Sequence, residues 1–126
     1  MSASILIVDD NPTNLKLAAT VLELAGFQVA FAEDAERALD SIIAACPDLV
    51  LMDIGLPGMD GLALTRMLRA DPRFERLAIV ALSAFAMKNE VDQAVAAGCD
   101  GYLTKPIDTR QFADQVAAFL PVGARP

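Results

Sequence analysis

Ile5-Leu6-Ile7-Val8-Asp9-Asp10-Asn11-Pro12-Thr13 is the stretch that decides the fold. Four consecutive apolar residues without alternation suit a strand covered on both faces. The polar residues that follow end the strand. Asn11 is a helix cap by residue type, and Pro12 suits a first helical turn. Leu15, Ala18, Ala19 and Leu22 then recur on one helical face, and Gly26 supplies a stop. The same unit of strand, turn and helix recurs outward along the chain, five times in all. Gln28 to Ala32 is the second strand, and Asp34 caps a helix carrying Ala38, Leu39, Ile42 and Ile43 that ends at Pro47. Leu49-Val50-Leu51-Met52 is the third and most apolar strand, and it runs straight into Asp53. A turn-rich loop, Gly55 to Gly61, precedes a helix with Leu62, Thr65, Leu68 and Arg69 that closes near Asp71-Pro72. Ala78 to Leu82 is the fourth strand, ending in Ser83, and a helix from Lys88 to Ala97 stops at Gly98. Tyr102-Leu103-Thr104 is a short fifth strand before Lys105-Pro106. Asp108 and Gln111 read as a capping-box variant for a last helix with Phe112, Val116 and Phe119, which stops at Pro121. The tail from Val122 to Pro126 is expected to fray.

One-for-one alternation with short loops predicts an α/β fold, a parallel sheet with helices on both faces and right-handed crossovers. With 126 residues the chain is expected to be one domain, 1–126, with its core at about 4–120. A hydrophobic content of 55% argues against disorder, and a net charge of -7 argues against nucleic acid as a partner. No apolar run approaches the roughly 20 residues that cross a bilayer, so no membrane association is expected. The N-terminus lacks a basic region and a cleavage site, so no secretory signal and a cytoplasmic location are expected. Cys46 and Cys99 stand alone in their segments and read as reduced, buried, small hydrophobes. The chain has no histidine, which excludes a Ser-His-Asp hydrolase, a His-ligated zinc enzyme and a phosphohistidine carrier.

In open parallel sheets, ligands bind beyond the carboxyl ends of the strands. The first strand ends in Asp9-Asp10, the third in Asp53, the fourth in Ser83 and the fifth in Lys105. The second contributes nothing comparable, which fits an edge position. Two carboxylates about 5 Å apart repel by roughly 3 kcal/mol at an effective dielectric near 20. Three of them call for a cation, and oxygen-only ligands select a hard one, Mg²⁺ with Mn²⁺ as the alternative. Mg²⁺ beside a lysine clamps a transferring phosphoryl group, and a central carboxylate can itself be the nucleophile. Each residue alone has an ordinary explanation: Asp10 and Ser83 as helix caps, Lys105-Pro106 as a turn, Tyr102 as half-buried sheet filling. Their occurrence together at four strand ends is what points to a site.

The residues Ile7-Val8-Asp9-Asp10-Asn11, Asp48 to Asp53, Leu56-Pro57-Gly58-Met59-Asp60-Gly61, Ser83-Ala84 and Lys105-Pro106 resemble the receiver domain of two-component response regulators. The likeness covers residues 4 to about 120. Ala84 to Lys88, Gly98-Cys99 and Lys105-Pro106-Ile107 are most similar to single-domain DivK-type regulators, and also to receiver modules of hybrid histidine kinases. The resemblance implies a doubly wound, flavodoxin-like and CheY-like (βα)5 fold, strand order 2-1-3-4-5. It implies Asp53 as phospho-acceptor and metal ligand, Asp10 as direct Mg²⁺ ligand, Asp9 as a ligand through water, and the Gly55 carbonyl as another. Lys105 and the Ala84 backbone would contact the phosphoryl oxygens, Ser83 would be the switch hydroxyl, and Tyr102 the aromatic that follows it inward. Asn14, Leu17 and Pro106 would dock the phosphodonor. For Asn14 and Leu17 the sequence adds its own signal: with Val21 and Leu24 they form a second stripe on the first helix, too apolar for a solvated face.

The implied partners are a histidine kinase or histidine phosphotransfer protein, and a protein effector, because no DNA-binding segment follows the last helix. A haloacid-dehalogenase-type phosphatase would need a second aspartate two residues after the nucleophile, where Gly55 stands. A flavodoxin-like cofactor binder would have its phosphate repelled by Asp9-Asp10. A receiver that works without phosphorylation has no need of the acidic residues, all of which are present. The protein is therefore expected not to be an enzyme beyond its own phosphotransfer. Gly55 and Phe85, where water-positioning side chains stand in such domains, predict slow self-dephosphorylation.

Overall fold

The structure is a computed structural model that describes residues 3–54, 61–83, 88–104 and 107–120. Five strands form one parallel sheet: β1 (Ser4–Val8), β2 (Gln28–Ala32), β3 (Leu49–Asp53), β4 (Ala78–Ser83) and β5 (Gly101–Thr104). Their order is β2-β1-β3-β4-β5, as expected, with β2 at an edge. The helices are α1 (Pro12–Leu24), α2 (Ala35–Ala44), α3 (Gly61–Ala70), α4 (Lys88–Ala97) and α5 (Phe112–Ala117). A 3-10 turn, Pro72–Phe74, follows α3.

The continuous apolar strands are buried on both faces, and each face has its own core. Leu6, Val8, Val50, Met52, Ile79 and Ala81 pack with the buried side chains of α2, α3 and α4. Ile5, Ile7, Leu49, Leu51, Val80 and Leu82 pack with those of α1 and α5. The helix boundaries follow the capping residues. The Asn11 side chain accepts from the amides of Thr13 and Asn14 at 2.9 and 3.3 Å, and the Asp34 side chain accepts from that of Arg37 at 2.7 Å. Gly26 ends α1 at φ 100°, a left-handed conformation that costs glycine little.

Four expectations need correction. The second helix ends at Ala44 rather than Pro47, and the Ile43 it carries is 53% exposed, beside the inner stripe of Ala35, Ala38 and Ile42. The Gln111 side chain makes no capping bond. Asp108 instead accepts from the Arg110 amide at 3.0 Å, and the helix proper begins at Phe112. That helix ends at Ala117, well before Pro121. Finally, Cys46 is exposed, beyond the last turn of α2, while Cys99 is buried as expected.

The two thiols should therefore react at different rates. Partial burial and the Asp48 charge push the Cys46 thiol up, and burial pushes the Cys99 thiol up. Both are weak nucleophiles at neutral pH, so access decides. A maleimide should label Cys46 at least about 100-fold faster than Cys99, whose labelling must await local opening. Peptide mass mapping over time would show this, and equal rates would contradict the burial of Cys99.

Candidate functional site: an acidic cluster at the strand ends

The site grows from the ends of β1 and β3. Val8 pairs with Met52 in the register of these strands, so the next residues, Asp9 and Asp53, emerge side by side. Asp9 is held from two directions. Its amide donates to the Ala32 carbonyl at 3.1 Å, and its Oδ1 accepts from the Asn11 amide at 2.9 Å. Asn11 in turn caps α1, so the strand-to-helix turn is fixed by its own polar groups. Asp9 is 1% and Asp53 9% exposed, and Asp10 faces solvent. On the other side of β3, Asp53 pairs with Leu82, and the Ile54 amide donates to the Leu82 carbonyl at 3.3 Å.

One carboxylate oxygen from each of Asp9, Asp10 and Asp53 lies within 4.8 Å of the others. That is the separation at which mutual repulsion reaches roughly 3 kcal/mol per pair at an effective dielectric near 20. An all-oxygen donor set of this size fits one hard divalent cation, which would offset the repulsion. The cluster could therefore hold a metal ion, and the donor types favour Mg²⁺ or Mn²⁺ over soft metals.

The other residues singled out above are placed as follows. Ser83 is the last residue of β4 and pairs with Thr104, the last of β5. Tyr102 pairs with Ala81, and its side chain is 41% exposed. Asn14 and Leu17 lie on the first turns of α1, half-buried and 41% exposed respectively. Gly55, Ala84, Phe85, Lys105, Pro106 and the tail 122–126 lie outside the described residues, as does the Ser83 side chain. A cleft of about 550 Å³ lined by Cys46, Asp48, Arg73, Arg76 and Phe119 lies at the opposite end of the strands and does not contribute.

Two residues at this site's margin escape a sequence reading. Gly61, the first residue of α3, packs directly on the end of β3. A Cβ there would lie 2.5 Å from the Asp53 carbonyl oxygen and 2.7 Å from Met52 Cγ. Buried Thr65 ties down the same turn, its hydroxyl donating to the Gly61 carbonyl at 2.8 Å. A glycine opening a helix is the one hint the sequence offers, since glycine is a poor helix former.

The comparisons with known proteins agree with this geometry. The family model of the response regulator receiver domain matches residues 5–117. The polar-differentiation response regulator DivK of Brucella ovis is 35% identical over 120 residues, covering 95% of this chain and 98% of its own. A solved response regulator structure from Chloroflexus aurantiacus superposes with a TM-score of 0.90 at 32% identity, covering 94% of this chain and 98% of that one. The chemotaxis protein CheY4 of Vibrio cholerae shares the fold, with a TM-score of 0.90 at 24% identity over 95% of this chain and all of its own. Strand order, the paired ends of β1 and β3, and near full-length similarity thus converge, and the chain belongs to the response regulator receiver domain family of two-component signalling.

Proposed function

We propose that this single domain, spanning 1–126, is a cytoplasmic phosphorylation switch that takes a phosphoryl group from a partner's phosphohistidine onto Asp53. The observation that carries this is the acidic cluster, three carboxylates within 4.8 Å at the ends of β1 and β3. An Asp53 carboxylate oxygen forms the new bond to phosphorus as the bond to the donor's histidine nitrogen breaks. Asp10 and Asp53, with the Gly55 carbonyl and Asp9 through a water, would hold Mg²⁺, or Mn²⁺ in its place. When bound, the cation neutralises charge on the phosphoryl oxygens. Lys105 and the Ala84 amide would bind those oxygens. The protein is not otherwise an enzyme. Gly55 and Phe85 place no polar side chain on an attacking water, so the acyl phosphate decays slowly.

The output is a change of surface. The phosphoryl group draws the Ser83 hydroxyl into a charge-assisted hydrogen bond, and Tyr102 turns inward from its half-exposed position. The start of α4 then presents a different face to a protein effector. This is a population shift worth about 1–3 kcal/mol.

The donor, a histidine kinase or histidine phosphotransfer protein, docks on Asn14, Leu17 and Pro106. A donor labelled on histidine should pass its phosphate to the wild type and not to Asp53→Asn. Leu17→Glu places a charge on the 41%-exposed apolar side chain. It should slow transfer from the donor by about tenfold or more, equivalent to one well-packed interface residue, while labelling by acetyl phosphate is unchanged. Transfer at the wild-type rate would remove Leu17 from the docking surface, and label on Asp53→Asn would overturn the acceptor.

A further inference from the structure

Helix α4 is anchored unlike its neighbours. Helices α1, α2, α3 and α5 bury Leu15 and Leu22, Ile42, Leu64 and Leu68, and Phe112 and Val116. Among the described residues of α4, the buried side chains are the alanines Ala94 and Ala97. Small side chains give little apolar area to hold a helix in place. The C-terminal end of α4 is nevertheless tightly fixed. Gly98 adopts φ 112°, its amide donates to the Val95 carbonyl at 3.1 Å, and the Cys99 amide to that of Ala94 at 3.0 Å. This closes the helix with a glycine cap of the Schellman type.

Arg69, in the last turn of α3, grips that cap. Its Nε donates to the Gly98 carbonyl at 2.8 Å, and its Nη2 to Asp100 Oδ2 at 2.9 Å. The same Oδ2 accepts from the Ile79 amide at 2.8 Å, tying the cap to the start of β4. Nη1 donates to the carbonyls of Phe74 and Leu77 at 3.1 and 2.7 Å. The fit is close, because a Cβ on Gly98 would lie 2.5 Å from Arg69 Cγ. A guanidinium spreads five donors in a rigid fork, which is why one side chain can pin three segments. The other end of α3 rests on Asp53 through Gly61. One rigid helix of about 15 Å thus links the acceptor strand to the clamp.

We infer that Arg69 is the positioning residue that fixes the C-terminal end of α4, so that phosphorylation swings the first turns of the helix about Gly98 instead of sliding the whole helix. This rests on the proposal above that phosphorylation at Asp53 alters the start of α4. The weakly anchored end follows β4 and responds, and the clamped end stays.

Amide hydrogen exchange on the full chain, with and without acetyl phosphate and Mg²⁺, tests this. In the wild type, phosphorylation should change exchange in the first turns of α4 and leave Gly98 and Cys99 as they were. Arg69→Lys keeps the charge and loses the fork. Without phosphate it should speed exchange at Gly98 and Cys99 by about tenfold or more, the scale of lost hydrogen bonds to a charged group. With phosphate it should show changes at both ends. Leu22→Ala, a destabilising change on the opposite face, is the control and should not speed Gly98 and Cys99 relative to the rest of the core. Asp100→Asn removes only the carboxylate partner and should reproduce the effect in part if Arg69→Lys fails to fold. Unaltered exchange at Gly98 and Cys99 in both clamp variants overturns the clamp. A wild-type response that runs evenly to Cys99 overturns the pivot alone. No response anywhere in α4 overturns the proposal through the switch on which it rests.

Discussion

Asp10→Asn is expected to be more stable than the wild type without divalent cations, and to accept phosphate at least about 100-fold more slowly with them, the scale of a lost metal contribution. The cause is the same in both cases. Asp10 brings a third negative charge within 4.8 Å of two others. The repulsion per pair is roughly 3 kcal/mol at an effective dielectric near 20. Asp10 faces solvent, however, and screening reduces the gain to about 1 kcal/mol. Mg²⁺ is expected to stabilise the wild type by binding the folded state, and to do so less in the variant. Thermal unfolding with EDTA and with Mg²⁺, beside acetyl phosphate labelling rates, would measure both. A variant less stable in EDTA, or one labelled at the wild-type rate, would contradict this description of the cluster.

Gly61→Val is expected to slow labelling at Asp53 as well as destabilise the fold. The first side-chain carbon would lie 2.5 Å from the Asp53 carbonyl oxygen, which is main chain and cannot rotate away. Either α3 shifts outward or the end of β3 moves, and each displaces the Asp53 carboxylate from Asp9 and Asp10. Overpacking of this kind costs about 1–3 kcal/mol, and a displacement near 1 Å at a reacting group can cost about 100-fold in rate. Gly61→Ala should show both effects in smaller measure. Comparing urea unfolding with the labelling rate separates them: a Val variant that loses stability but labels normally would show that Gly61 only packs.

The fold is legible because β1, β3 and β4 are nearly continuous apolar runs that lead into charged or hydroxyl residues. Asp9, Asp10 and Asp53 were found as strand-terminal carboxylates, and the register of β1 with β3 brings them together. Other features were not legible, for physical reasons. Helical period gives an apolar stripe but not its width, so the exposure of Ile43 at its margin is not legible. Cys46 follows the end of α2, where no period applies. Asp108 and Gln111 have the right types for a capping box, but a turn intervenes before the helix begins. Gly61 and Arg69 act on main-chain atoms distant in sequence, the Asp53 carbonyl and the carbonyls of Gly98, Phe74 and Leu77. No residue pattern marks a partner that every residue possesses.

The most direct test of the acceptor is the intact mass of the protein after incubation with acetyl phosphate and Mg²⁺. The wild type should gain one phosphoryl group, and the gain should vanish in Asp53→Asn and in wild type with excess EDTA. A wild type without the adduct, an adduct of unchanged yield on Asp53→Asn, or full labelling in EDTA would contradict the assignment of Asp53 as a metal-dependent phosphoryl acceptor.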